Sequence, residues 1–171
     1  MRQLLEQAQK HSVLLFYTWA RHYAQVIDRT EAHLPLQPGV GLIKDIMVTL
    51  DSGFVDDALL QRADTGTAGW STAEVLRARA DALLAENCPL KTEAAEAVLI
   101  RALNVAKHQG ALAWELRSAT SLAQLWQRQG LYQQAYELLA PIYHRFTEGF
   151  STPDLSKVRR LLDELHGQLH A

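Results

Sequence analysis

Apolar residues recur along this chain with a period near 3.6, and the strict alternation of a half-buried strand is nearly absent. Residues 111–129 show the period best. Leu112, Leu116, Ala119, Ala123 and Trp126 fall on one stripe, widened by Leu122 and Leu125. Arg117, Thr120, Gln124, Gln127 and Arg128 lie off it. A stripe this wide predicts a helix packed against more than one neighbour. Read together with its breakers, the pattern predicts helices near 2–10, 13–29, 40–51, 54–64, 72–86, 92–108, 111–129, 131–147 and 153–168.

The punctuation carries its own chemistry. Gly110 follows Lys107-His108, basic residues suited to the negative end of a helix that stops at a glycine. Gly130 and Gly53 interrupt the pattern so briefly that the flanking helices must double back as hairpins. Ser71 with Glu74 spells a capping box, and Thr92-Glu93 reads as a cap and first turn. Thr152-Pro153-Asp154 is a start signal of cap, proline and acid. Pro141 lies inside the predicted helix 131–147, where a kink is expected in preference to a break into two short helices. The stretches 30–40 and 65–69 read as connectors too short for interdomain linkers.

The helices also repeat. With Ala123 placed at position 8 of a tetratricopeptide unit, Trp126, Gly130, Tyr132, Ala135 and Leu139 fall at positions 11, 15, 17, 20 and 24. Small residues at 8 and 20 let two helices approach closely, and the large ones plug the next unit. Ala80, Leu83, Ala95, Leu99 and Ala102 repeat the pattern if the loop near Cys88-Pro89 is a few residues longer. Gly53 and Ala58 echo it more weakly, with Ile46 where a small residue belongs. The alanine spacing is 43 residues, against about 34 in the standard repeat. The expected fold is an all-α, right-handed solenoid of antiparallel hairpins, about nine helices ending in a cap. Its rival is a compact orthogonal bundle. The chain reads as a single domain, 1–171, with irregular repeats over 1–64, two well-formed pairs over 65–150 and a capping helix over 151–171. Helix 2–10 then reads as the second helix of a pair that lacks its first.

Composition narrows the class. The chain has 171 residues, 48% of them apolar, with 17 basic and 19 acidic side chains for a net charge of -2. No field of one sign points to nucleic acid or a membrane surface, and no apolar run approaches the ~20 residues of a span. A lone cysteine, Cys88, and an N-terminus without an apolar core lead to a cytoplasmic expectation.

Residues 111–165 carry a resemblance. Ala113-Trp114-Glu115-Leu116-Arg117-Ser118-Ala119 leads through Trp126, Gly130 and Leu138-Leu139-Ala140-Pro141-Ile142-Tyr143 to Phe146-Thr147-Glu148-Gly149-Phe150 and Thr152-Pro153-Asp154-Leu155. This block resembles the C-terminal tetratricopeptide-like repeats of large bacterial signalling ATPases. Those proteins place a class III cyclase or winged-helix domain and a P-loop module before such a tail. The resemblance implies a regulatory, protein-binding tail without catalysis of its own. Its partner would be a protein or peptide, or an NTPase or cyclase domain of the same parent, and no cofactor is implied.

Candidate chemistry is sparse. Pro38-Gly39-Val40-Gly41-Leu42-Ile43-Lys44 lacks the spacing and hydroxyl of a phosphate loop. His166 and His170 stand one turn apart without an evident third ligand. Cys88 lacks an activating setting, and Asp56-Asp57 reads as a first turn. Lys157, Arg159 and Arg160 read as a solvated basic cluster. Phe16, Tyr17 and Trp19 read as core, or as a surface for a homodimer through the N-terminal end. In stacked hairpins the first helix of each pair lines the open face, which there carries Thr18, Arg21, Gln25, Asp28, Arg77, Asp81, Arg117, Thr120, Gln124, Gln127 and Arg128. Guanidinium forks and amides suit an extended peptide, and charge reversal of Arg117 with Arg128 is the direct test. A self-assembling structural protein and a small all-α enzyme remain the alternatives.

Overall fold

The computed structural model describes residues 45, 48, 49, 54–66, 68–86 and 88–170. Helices expected over 2–10 and 13–29 lie outside the described residues, as do Arg21, Gln25 and the aromatic surface of Phe16, Tyr17 and Trp19. Within 40–51, Asp45, Val48 and Thr49 are helical, as predicted. Among the described residues the protein is all-helical and has no strand. None of its helices there is long and apolar enough to cross a membrane.

The chain divides into two compact units, Met1–Ser71 and Thr72–Ala171. In the first, α1 (Asp57–Asp64) begins where the Asp56 carboxylate accepts from the Leu59 N–H at 2.9 Å. Asp56 is therefore a cap, and Asp57 the first-turn acid. Leu59 and Ala63, one turn apart, form the buried stripe of α1, while Ala58 is exposed. This corrects the weak first repeat, whose phase put Ala58 at a small buried position. Arg62 forks onto Asp45 through two hydrogen bonds of 3.1 Å. A single 3-10 turn, Gly69–Ser71, closes the unit.

The second unit holds α2 (Thr72–Ala85), α3 (Pro89–His108), α4 (Leu112–Arg128), α5 (Tyr132–Tyr143) and α6 (Pro153–Leu169). Each helix packs on the next in sequence, and α4 also touches α2 and α6. Ala80, Ala95, Ala123 and Ala135 are fully buried in one core, with Leu99, Leu116, Leu122, Leu139 and Leu165 among them. Trp126 joins that core, and its indole Nε1 donates to Glu96 of α3 at 2.7 Å.

Two glycines turn the chain in the same way. At Gly110 (φ +66°) and Gly130 (φ +78°) the backbone is left-handed. The Gly110 N–H donates to Lys107 and the Ala111 N–H to Ala106; Gly130 and Leu131 bond Gln127 and Trp126 alike. These are two Schellman closures 20 residues apart in sequence, each followed at once by a new helix.

Three boundaries differ from expectation. Helix α3 starts at Pro89, with Cys88 as its cap, and the Thr92 hydroxyl donates to the Cys88 carbonyl one turn in. Proline at the first helical position gives up an N–H that has no acceptor there in any case, so the start moves forward from 92. The Ser71–Glu74 pair does not cap reciprocally. The Ser71 hydroxyl donates to Ala68, and the Glu74 carboxylate turns to arginines. Finally, α5 passes through Pro141 but ends at Tyr143, where the Arg145 and Phe146 N–H groups switch to tighter three-residue bonds.

Candidate functional site

Of the polar residues that α4 keeps off its apolar stripe, Arg117 reaches α2 and α6 and Gln127 reaches α6. On α2, Arg77 lies three residues after Glu74 and four before Asp81, so all three share one side of the helix. The Arg77 Nη1 donates to Asp81 at 2.7 Å, while its Nε and Nη2 reach Glu74 Oε2 at 3.3 and 3.1 Å. Glu74 is fully buried. Across the helix interface, Arg117 Nη1 lies 3.0 Å from the same Glu74 oxygen. The Nε of Arg117 lies 3.7 Å from Asp154 at the start of α6. The result is a five-member ladder, Asp81–Arg77–Glu74–Arg117–Asp154, spanning three helices.

Charge balance explains its shape. A buried carboxylate is costly unless paired and hydrogen-bonded, and Glu74 takes two guanidiniums. Burial on its own would lower the Arg77 pKa, but the carboxylates of Glu74, Asp81 and Asp154 outweigh it and hold that pKa above its ordinary value. Arg77 is thus cationic throughout the working pH range. Beside the ladder lies a recess of about 100 Å³ lined by Arg77, Leu116, Arg117, Thr120, Ser121, Asp154 and Lys157. Thr120 is buried, and its hydroxyl donates to the Leu116 carbonyl at 2.6 Å.

The predicted open-face residues therefore separate into two groups. Arg77, Asp81, Arg117 and Thr120 come together at or beside the recess. Gln124 is half-buried farther along α4, Gln127 donates to Glu164 of α6 at 3.3 Å, and Arg128 is exposed at the helix end. Arg117 is tied to the interior through Glu74, so its charge reversal would perturb folding and binding together. Four participants were not among the predicted face residues: Glu74, Ser121, Asp154 and Lys157. For Glu74 the i,i+3 spacing to Arg77 was a usable signal. Asp154 and Lys157 approach from a helix more than thirty residues away, and no local spacing announces that.

Elsewhere the chemistry is thin. The rings of His166 and His170 touch, with centroids 4.4 Å apart, and His166 also lies against Tyr136. Among the described residues no group of three His, Cys, Asp or Glu side chains gathers as a metal site would require. A wide shallow recess beside Cys88 is lined by Pro89, Thr92, Glu93 and Gln129. No protein-family model, curated protein or solved structure matches this chain.

Proposed function

We propose that the chain is a non-catalytic protein-interaction and regulatory module. Its helices stack as tetratricopeptide-like hairpins in a solenoid, and a polypeptide segment of a partner lies along the face shared by α2, α4 and α6. One observation carries this reading. Alternate helices touch one another and pool their polar side chains in a single recess, while their apolar side chains run into one continuous core. In a stack of hairpins the first helix of each pair lines one surface, and a surface made by successive units suits an extended ligand. The fully buried alanines at equivalent places in two hairpins support the same architecture.

The resemblance of residues 111–165 to the tails of bacterial signalling ATPases supplies the proposed setting, a segment that senses a partner and relays it to an NTPase domain. Site-resolved photo-crosslinking tests the binding face. A photoreactive residue at Gln124 or Arg128 on α4 is expected to yield an adduct with the partner, and the same residue at Gln133 on the exposed side of α5 is not. Equal yields from both faces would overturn the reading.

A further inference from the structure

His166 and His170 stand one turn apart near the end of α6, with Gly167 between them. The helix does not stop at that glycine. It runs through Gly167 to Leu169, so the i,i+4 spacing puts both imidazoles on one side of a formed helix. Their ring centroids lie 4.4 Å apart. Both residues are exposed, while Leu162 and Leu165 of the same helix are buried.

What these rings touch matters as much as where they stand. His166 lies against Tyr136 of α5, with centroids 6.1 Å apart, and His170 lies against His166. These are ring contacts. Among the described residues neither imidazole takes part in a side-chain hydrogen bond or an ion pair. The helix end is closed by backbone, since the His170 N–H donates to the Gly167 carbonyl at 3.4 Å, and capping uses neither ring. The ring nitrogens are therefore uncommitted, and they sit at a useful separation. An imidazole nitrogen binds Zn²⁺ at about 2.0–2.1 Å, so two rings sharing one ion at nitrogen–metal–nitrogen angles of about 90–110° have centroids roughly 4.5–5.3 Å apart. The pair at 4.4 Å reaches that range by a small side-chain rotation, which exposed rings can make.

We propose that His166 and His170 form a bidentate clip for one divalent transition-metal ion of the zinc, nickel or copper kind, with water holding the remaining coordination positions. A site enclosed by protein takes three or four protein ligands. This one is open, and the chain supplies two. Imidazole nitrogen suits these borderline ions, whereas Mg²⁺ and Ca²⁺ take oxygen. The bound ion ties residue 166 to residue 170 across the last turn of α6, the turn that Gly167 weakens. The clip is independent of the α2–α4–α6 binding face.

The test titrates the full chain with Zn²⁺ alone, followed by imidazole and backbone amide resonances. One ion per chain is expected, with the His166 and His170 ring signals moving together and amide exchange slowing over residues 167–170. His166→Ala and His170→Ala should each weaken binding about tenfold or more, because loss of either ring turns a chelate into a single contact. His108→Ala, at an exposed histidine of α3, should leave binding unchanged. Mg²⁺ at the same concentration should move neither ring. Amide spectra that match the parent away from α6 separate a lost ligand from a lost fold. Single α6 variants that bind within about threefold of the parent overturn the clip. So does a shift confined to one ring, or saturation no tighter than that of either single variant, which marks an adventitious ion only.

Discussion

Glu74 illustrates how one side chain can join two helices while looking like an end-of-helix residue. Its carboxylate is shared by Arg77 and Arg117, and Arg77 is only 12% exposed. Removing one partner of a buried ion cluster leaves uncompensated charge behind, a loss of about 3–5 kcal/mol. Glu74→Ala is therefore expected to lower the unfolding free energy, read from urea melts, by that amount. Asp81→Ala, which removes a 39% exposed carboxylate, should cost about 1 kcal/mol or less. Equal costs would mean that the ladder is surface decoration. The raised Arg77 pKa fixes the sign of its pH dependence. A cation stabilised in the folded state contributes fully below its unfolded pKa, so this contribution fades only in strong alkali. At this scale the sequence was half legible. The spacing of Arg77 and Asp81 places both on one helix side, but Ser71 three residues before Glu74 makes that pair read as a capping box. Burial decided otherwise, and burial depends on which helix arrives opposite.

Elements were easier to read wherever backbone geometry, and not packing, sets the boundary. Gly110 and Gly130 mark the ends of α3 and α4 because a left-handed residue must follow each helix there, and glycine adopts that conformation without a Cβ penalty. A Cβ at either position would meet nothing within 4 Å. Gly110→Ala and Gly130→Ala should consequently each cost about 1 kcal/mol from backbone strain alone. Gly167 supplies the opposite sign. It lies inside α6 with open space around it, so Gly167→Ala should stabilise by about 0.5–1 kcal/mol. Thermal melts of the three variants check the pattern, and a loss at Gly167 would contradict it. The proline signals were ambiguous for a related reason. Pro89 can open a helix and Pro141 can end or merely bend one, and the local sequence does not distinguish these. What separates them is whether the next residues find tertiary partners. After Pro141 the chain leaves the helix within two residues, and Arg145 instead reaches back to the buried Glu115 of α4 at 2.7 Å.

For the molecule as a whole, the decisive property is how far a disturbance travels. Periodicity makes the helices legible, and the alanine spacing is the signal for a repeat, but neither separates an open stack from a closed bundle. In a stack, stability is a sum of units and nearest-neighbour interfaces; in a bundle, all the helices melt as one unit. Among the described residues of the second unit, the substantial helix–helix contacts join sequence neighbours or alternates, and α6 packs on α5 and α4. Leu165 is fully buried on α6, so Leu165→Ala should cost about 2–5 kcal/mol locally. In the stacked arrangement, amide hydrogen exchange in that variant should rise steeply in α6, less in α5 and α4, and least in α3 around Leu99. A graded profile of this kind reflects sub-global opening from one end. Uniform acceleration across all five helices would show that they form a single cooperative core, and the case for a trough built by successive units would be lost with it.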